Sequence, residues 1–270
     1  MPVQVKGESK LWQRYDRATV LRQWAGWIVS TVLFLFCWQI IAAATRWEFV
    51  RDAPQQGAIF VGRMFPPRWD YLNVLWGPLW DTVNIATLGT AIAVLFALPL
   101  SFLAATNTTP HPLVRMVALL VIVVSRSVNA LIWALLLVSI LGPGVLAGVI
   151  AIALRSIGFV GKLFYEAIEE ISREPVEAIT ATGASGLQVL SYGIVPQVLP
   201  SFAGVTVFRW DINIRESTVI GLVGAGGIGL NLSSSVNALR WDQVGLIFTV
   251  IFVLVLISEW VSAQARKAII

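Results

Sequence analysis

The sequence predicts an all-α, polytopic membrane protein. Six transmembrane helices are joined by mostly short links, and one cytoplasmic loop folds into short helices of its own. Three observations predict this. Of 270 residues, 57% are hydrophobic and only 13% charged, with mean hydropathy +0.79; a soluble domain is nearer a quarter charged. The apolar residues gather into six runs, each close to the ~20 residues a helix needs to cross a bilayer. Between the fourth and fifth runs lies a polar island, residues 166–200. The chain divides into a tail, 1–26, and a six-span domain, 27–270.

The elements follow in order. The tail carries Lys6, Lys10, Arg14, Arg17 and Arg22 against Glu8 and Asp16. It reads as a cytoplasmic segment with a surface helix, and Trp24 and Trp27 fall at the membrane interface. A signal peptide is not expected, because the basic region is long and the next apolar run is span-length without a cleavage site. The first span is 27–45. Residues 46–79 are polar, with Pro54, Pro66 and Pro67, and with Trp47, Trp69, Tyr71 and Trp76 suited to an outer interface. The second span is 82–105, kinked at Pro99. The third is 113–141, and Gly142-Pro143-Gly144 turns the chain into the fourth, 145–165. The fifth is 198–223. Residues 224–242 read as a Gly- and Ser-rich outer loop, with Ser233–Ser235 solvated. The sixth is 244–263, followed by Arg266 and Lys267. Six crossings put both termini on one side. The basic ends, with Arg115 and Lys162, make that side the cytoplasm, and the polar island faces it too.

Composition excludes several classes. Cys37 is the single cysteine, so there is no intrachain disulfide and no cysteine metal cluster. The net charge of +4 comes from basic residues beside spans, a topology signal and not a nucleic-acid surface. His111, between Pro110 and Pro112, has no second ligand nearby and reads as a loop histidine. No Ser/His/Asp or Cys/His constellation marks a catalytic centre, and no metal site is expected. Gly224, Gly226 and Gly229 satisfy G-x-G-x-x-G, but a dinucleotide site needs a βαβ unit and a later acid. The glycines, Gly227 included, read as close packing, an outer-face turn or a gate. Gly158–Lys162 is too short for a phosphate loop, so ATP is not expected to bind this chain.

The polar island has its own logic. Pro175 fits a first helical turn, where its missing N–H costs nothing. Glu174 and Glu177 are acids near that helix start, which the macrodipole favours. Gly183 stops the helix. Ser185 caps a second short helix, ended before Pro196.

Charges also fall at mid-depth. Arg126, Arg155 and Arg209 lie about thirteen, ten and eleven residues into their spans, at 1.5 Å per residue. The fifth span adds Asp211, Asn213, Arg215, Glu216 and Ser217. A charge at the bilayer centre costs about 2.5–3.5 kcal/mol on insertion scales, so these residues face partner helices or a wet cavity. Arg209, Asn213 and Glu216 share one helical face; Asp211 and Arg215 share the opposite one. One face braces the bundle while the other lines a path, and the sequence leaves open which is which. Four arginines against two acids suit an oxyanion, which guanidinium grips as a fork.

Two resemblances rest on these residues. Glu177-Ala178, then Gly183-Ala184, then Pro196 resemble the EAA loop of ABC-transporter permeases. Ile179 stands where that family usually has a second alanine, and Gly193 and Val195 stand where it has Ile and Leu. The run from Phe208 to Gly229, with Val195-Pro196-Gln197, Arg126-Ser127-Val128-Asn129 and the 65–72 segment, resembles the phosphonate-type permease branch. The resemblance implies a permease subunit in a bacterial inner membrane, importing a phosphonate or related phosphorus oxyanion. Its implied partners are a second copy of itself, two ATP-binding subunits and a periplasmic binding protein, with lipid around it and no nucleic acid. ATP and magnesium would belong to the partner ATPase, coupled through Glu174, Glu177, Ala178, Gly183, Ala184 and Pro196. The implied pathway residues are Arg126, Asn129, Arg155, Arg209, Asp211, Asn213, Arg215, Glu216 and Ser217. Rival readings are a methionine- or betaine-type permease, a membrane-embedded enzyme acting on a lipid phosphate, and a secondary transporter.

Overall fold

The structure is a computed structural model that describes residues 3–6, 9–12 and 17–269. Residues 1–2, 7–8 and 13–16 of the tail, with the expectations that fall on them, lie outside this description. The chain separates into two compact units, 1–61 and 62–270.

In the first unit, strands β1 (Val3–Lys6) and β2 (Ser9–Trp12) pair antiparallel, Val3 opposite Trp12. Part of the expected surface helix is therefore a hairpin. Helix α1 (Arg17–Ala44) extends the first span toward the N-terminus. Helix α2 (Trp47–Met64) starts directly after it, and the Trp47 indole N–H donates to the Ala42 carbonyl at 3.0 Å. Much of the segment read as a polar link is thus helical. Pro54 is carried within it.

The second unit is a helical bundle. A single 3₁₀ turn, Trp69–Tyr71, leads into α3 (Leu72–Ala104), which keeps Pro78 and Pro99 inside one continuous helix. Then come α4 (Pro112–Ser127), α5 (Ala130–Leu141) and α6 (Val145–Glu169). Helices α7 (Arg173–Ala181) and α8 (Gly186–Val189) form the polar island. Helices α9 (Val195–Gly221), α10 (Ile228–Asn237) and α11 (Trp241–Ile269) complete the chain.

Three expectations are corrected. The third span is not straight: α4 and α5 meet at 86° around Val128 and Asn129. Asn129 stops α4 because its extended backbone and side chain, accepting from Leu131 N–H at 3.1 Å, begin a new helix. The outer loop at 224–242 contains a helix, α10, whose Ile228 and Leu232 pack with Leu75 of α3 and Ile247 of α11. The second short helix does not end before Pro196. It passes through a π-helical turn, Leu190–Ile194, into α9, where Pro196 takes a first-turn position and needs no N–H partner.

Among the described residues, five helices are long and apolar enough to cross a membrane, or six where the bent pair counts as one span. Contacts place the two ends of the pair at opposite ends of the bundle. At one end, Thr106 N–H donates to Glu169 Oε1 at 2.8 Å and Asn107 Nδ2 to Ile168 O at 2.6 Å, beside the polar island. At the other, Gly144 N–H donates to Gly224 O at 3.0 Å. The core is tiered between these ends. Phe164 and Phe202 stack at 3.9 Å near the first, Ile85, Ile152 and Ile220 pack toward the second beside Ala225, and α10 closes that end. In lipid, such packing rests on van der Waals fit and buried hydrogen bonds more than on hydrophobic burial.

Candidate functional site

The mid-depth charges are sorted by burial. Arg209 is 1% exposed. Its Nε donates to Ser156 Oγ at 2.9 Å and its NH2 to Glu216 Oε2 at 3.1 Å, with the Phe159 ring 4.9 Å from its guanidinium carbon. Asn213, fully buried, donates to Thr90 Oγ1 at 2.7 Å and reaches Ser156 Oγ at 3.1 Å. This face of α9 is therefore tied to α3 and α6. The opposite face is tied too. Asp211 accepts from Ser258 Oγ of α11 at 2.8 Å and pairs with Arg215, whose side chain stays 48% exposed. Ser217 is buried and donates to Ile214 O, within its own helix. Ser156, Thr90 and Ser258 belong to no motif in the sequence. Their only signal was a small hydroxyl inside an apolar run, which in membrane helices marks a contact surface.

A second set is open. Arg155 Nη1 donates to Asn129 Oδ1 at 3.1 Å, and its Nε lies 3.5 Å from Glu216 Oε1. The Arg155 and Glu216 side chains are 30% and 21% exposed. Arg126 is exposed at the end of α4, and no acid or acceptor partners its side chain among the described residues. The bend that parts α4 from α5 thus leaves Arg126 exposed and brings Asn129 against Arg155. Ser125 holds the join. Its hydroxyl accepts from Gly158 N–H at 2.8 Å and donates to Leu154 O, both of α6. A side chain at Gly158 would run into the Ile122 carbonyl and sit 2.8 Å from Arg126 N. The glycine is what lets the two backbones approach.

The glycine run is a packed joint. Gly224, Gly226 and Gly227 have φ of 94°, 83° and 72°, which L side chains avoid. Gly226, Gly227 and Gly229 are buried, and a Cβ on Gly229 would collide with Thr218 O. Thr82 Oγ1 accepts from Ile228 N–H at 2.8 Å, fixing the turn to α3.

In the polar island, Glu174, Glu177, Ala178, Gly183 and Pro196 are exposed and Ala184 half-buried. Gly183 has φ +82° after the last turn of α7, and Ser185 and Gln188 form a reciprocal capping box on α8. Tyr192 and Leu187 project with 72% and 77% exposure beside a cleft lined by Ile179, Thr182 and Gly183. Gln197 fastens the segment. It accepts from Ser172 N–H at 3.1 Å and donates to the carbonyls of Gly193 at 2.6 Å and Ser172 at 3.3 Å.

Comparison with known proteins agrees with this architecture. Residues 97–261 match the family described as "Binding-protein-dependent transport system inner membrane component". The chain is 42% identical to the phosphite transport system permease protein PtxC of Stutzerimonas stutzeri, over 89% of this chain and 86% of that one. It is 41% identical to the phosphate-import permease protein PhnE of Mycolicibacterium smegmatis over 85% of this chain, spanning 44% of that longer protein. Among solved structures, an inward-facing methionine ABC transporter, MetNI, superposes with TM-score 0.65 at 17% identity, over 75% of this chain and 99% of that one, a likeness of fold. The relatives are transport permease subunits rather than enzymes. A bundle of spanning helices, a capped helical loop at one end and a family match over more than half its length place this chain in the binding-protein-dependent transport inner-membrane family, as the permease subunit of an ABC importer.

Proposed function

We propose that this permease carries a phosphorus oxyanion, of the phosphite, phosphonate or phosphate class, across a bacterial inner membrane. The observation that carries the proposal is the partly exposed Arg155 beside the α4–α5 break, held by Asn129 Oδ1 and 3.5 Å from Glu216, with the exposed Arg126 three residues before Asn129. Guanidinium groups with unspent donors fit phosphoryl oxygens as a fork. The relatives named for phosphite and phosphate transport support the same substrate class.

The working unit is a homodimer with two ATP-binding subunits, which hold ATP and magnesium, and a periplasmic binding protein. Both termini are cytoplasmic. The α7–α8 segment docks on the ATPase through its exposed face, with Glu174, Glu177, Ala178, Gly183 and Ala184 shaping the contact and Pro196 at the root of α9. Closure of the ATPases moves this segment, and the bundle alternates between outward and inward openings. Arginine contacts must be weak enough for release as well as strong enough for selection.

The test is ATP-driven uptake into liposomes holding this chain, its ATPase and its binding protein, with phosphite, a phosphonate, phosphate and methionine offered in parallel. Uptake confined to phosphorus oxyanions and lost without the ATPase is the expected result. Uptake of methionine alone overturns the substrate class, and ATP-independent uptake overturns the importer.

A further inference from the structure

Glu216 is shared unequally between two arginines. Its Oε2 lies 3.1 Å from the NH2 of Arg209, which is 1% exposed. Its Oε1 lies 3.5 Å from Nε of Arg155, beyond ordinary hydrogen-bond length, and the Arg155 side chain is 30% exposed. The contact with Arg209 is the durable one, because separating it would leave a buried charge uncompensated. The contact with Arg155 is the labile one, because it is longer and both partners are partly exposed. Arg155 meanwhile keeps a neutral acceptor, Asn129 Oδ1 at 3.1 Å, which holds the guanidinium in place whether or not the carboxylate stays. Asn129 is itself fixed as the N-cap of α5.

We infer that Glu216 is a resident counter-ion that a passing oxyanion displaces from Arg155, while Arg209 retains it. The carboxylate stands in for the anion when the path is empty. It lowers the net attraction of Arg155, so the site selects anions without holding them. The exchange needs no large motion of α9, because only one oxygen of Glu216 changes partner. It makes Glu216 a specificity-determining residue through Arg155, and Asn129 a positioning residue for the same guanidinium. This inference rests on the oxyanion reading of the site.

The experiment measures half-saturation and maximal rate of ATP-driven phosphite uptake in the full reconstituted complex, for wild type, E216Q, R155Q and N129A. E216Q is expected to tighten half-saturation about three- to fivefold, the strength of a partly exposed ion pair, and to slow maximal uptake as release becomes limiting. R155Q is expected to weaken half-saturation by more than N129A does. E216Q also leaves the buried Arg209 unpaired, so the double variant R209Q/E216Q, which removes both charges together, is measured beside it and is expected to show the same tightening. Half-saturation that does not tighten in E216Q or in the double variant, with wild-type uptake intact, overturns the inference alone. Wild-type complex that takes up no phosphorus oxyanion overturns the substrate reading, and the inference with it.

Discussion

Arg155 and Arg209 share one carboxylate, yet the consequences of losing them differ. Arg209 is enclosed by Ser156, Glu216 and the Phe159 ring, so replacing it leaves Glu216 with Arg155 alone and opens the α6–α9 seam. Arg209→Gln should destabilise the detergent-solubilised protein by about 3–5 kcal/mol, the range for breaking a buried ion pair. Arg155→Gln, at a side chain 30% exposed, should cost less than about 1 kcal/mol. Thermal unfolding of the two variants checks the order, and an Arg155 variant as unstable as the Arg209 one would show that the open site is structural. Residue types and helical faces were legible in the sequence, and Arg209, Asn213 and Glu216 do share one. The sequence could not rank their exposure, because each depends on Ser156, Thr90 and Arg155 arriving from other helices.

At the scale of elements, two joints carry predictions. The α7–α8 corner turns on Gly183, whose φ of +82° costs another residue about 1–2 kcal/mol. Gly183→Val should therefore leave the bundle folded but weaken pull-down of the ATPase, and retention of full binding would detach that corner from docking. Gln197→Ala removes the two hydrogen bonds between α9 and the start of α7, at Ser172, and a third to the Gly193 carbonyl within its own turn. It should reduce the transport obtained per ATP hydrolysed, measured in proteoliposomes, because the segment no longer moves with α9. The second joint is the glycine run, where a methyl on Gly229 meets the Thr218 carbonyl. Gly229→Ala should lower stability by about 1–3 kcal/mol through overpacking, read as a fall in melting temperature. The caps and the glycine stop were legible locally, since they depend on neighbouring residues alone. The π-helical turn was not, because proline at a helix start and proline after a helix end look alike in sequence.

For the whole molecule, the bent pair decides the topology. The ends of α4–α5 lie against opposite ends of the bundle, at Glu169 and at Gly224. Cysteines at Asn107 and Pro143, in a chain with Cys37 replaced by serine, should react with an impermeant maleimide from opposite sides of the membrane. Labelling of both from one side would make the pair a re-entrant loop. The class, the approximate spans and the polar island follow from the order of residues alone, because hydropathy and cap residues act over short range and lipid forces each span to satisfy its own backbone. Tertiary structure alone decided that the third span breaks at Asn129, that α10 closes one end of the bundle, and which arginines stay open. Those outcomes depend on Ser125 meeting Gly158, Thr82 meeting Ile228 and Ser156 meeting Arg209, contacts between residues 33, 146 and 53 positions apart that no local pattern encodes.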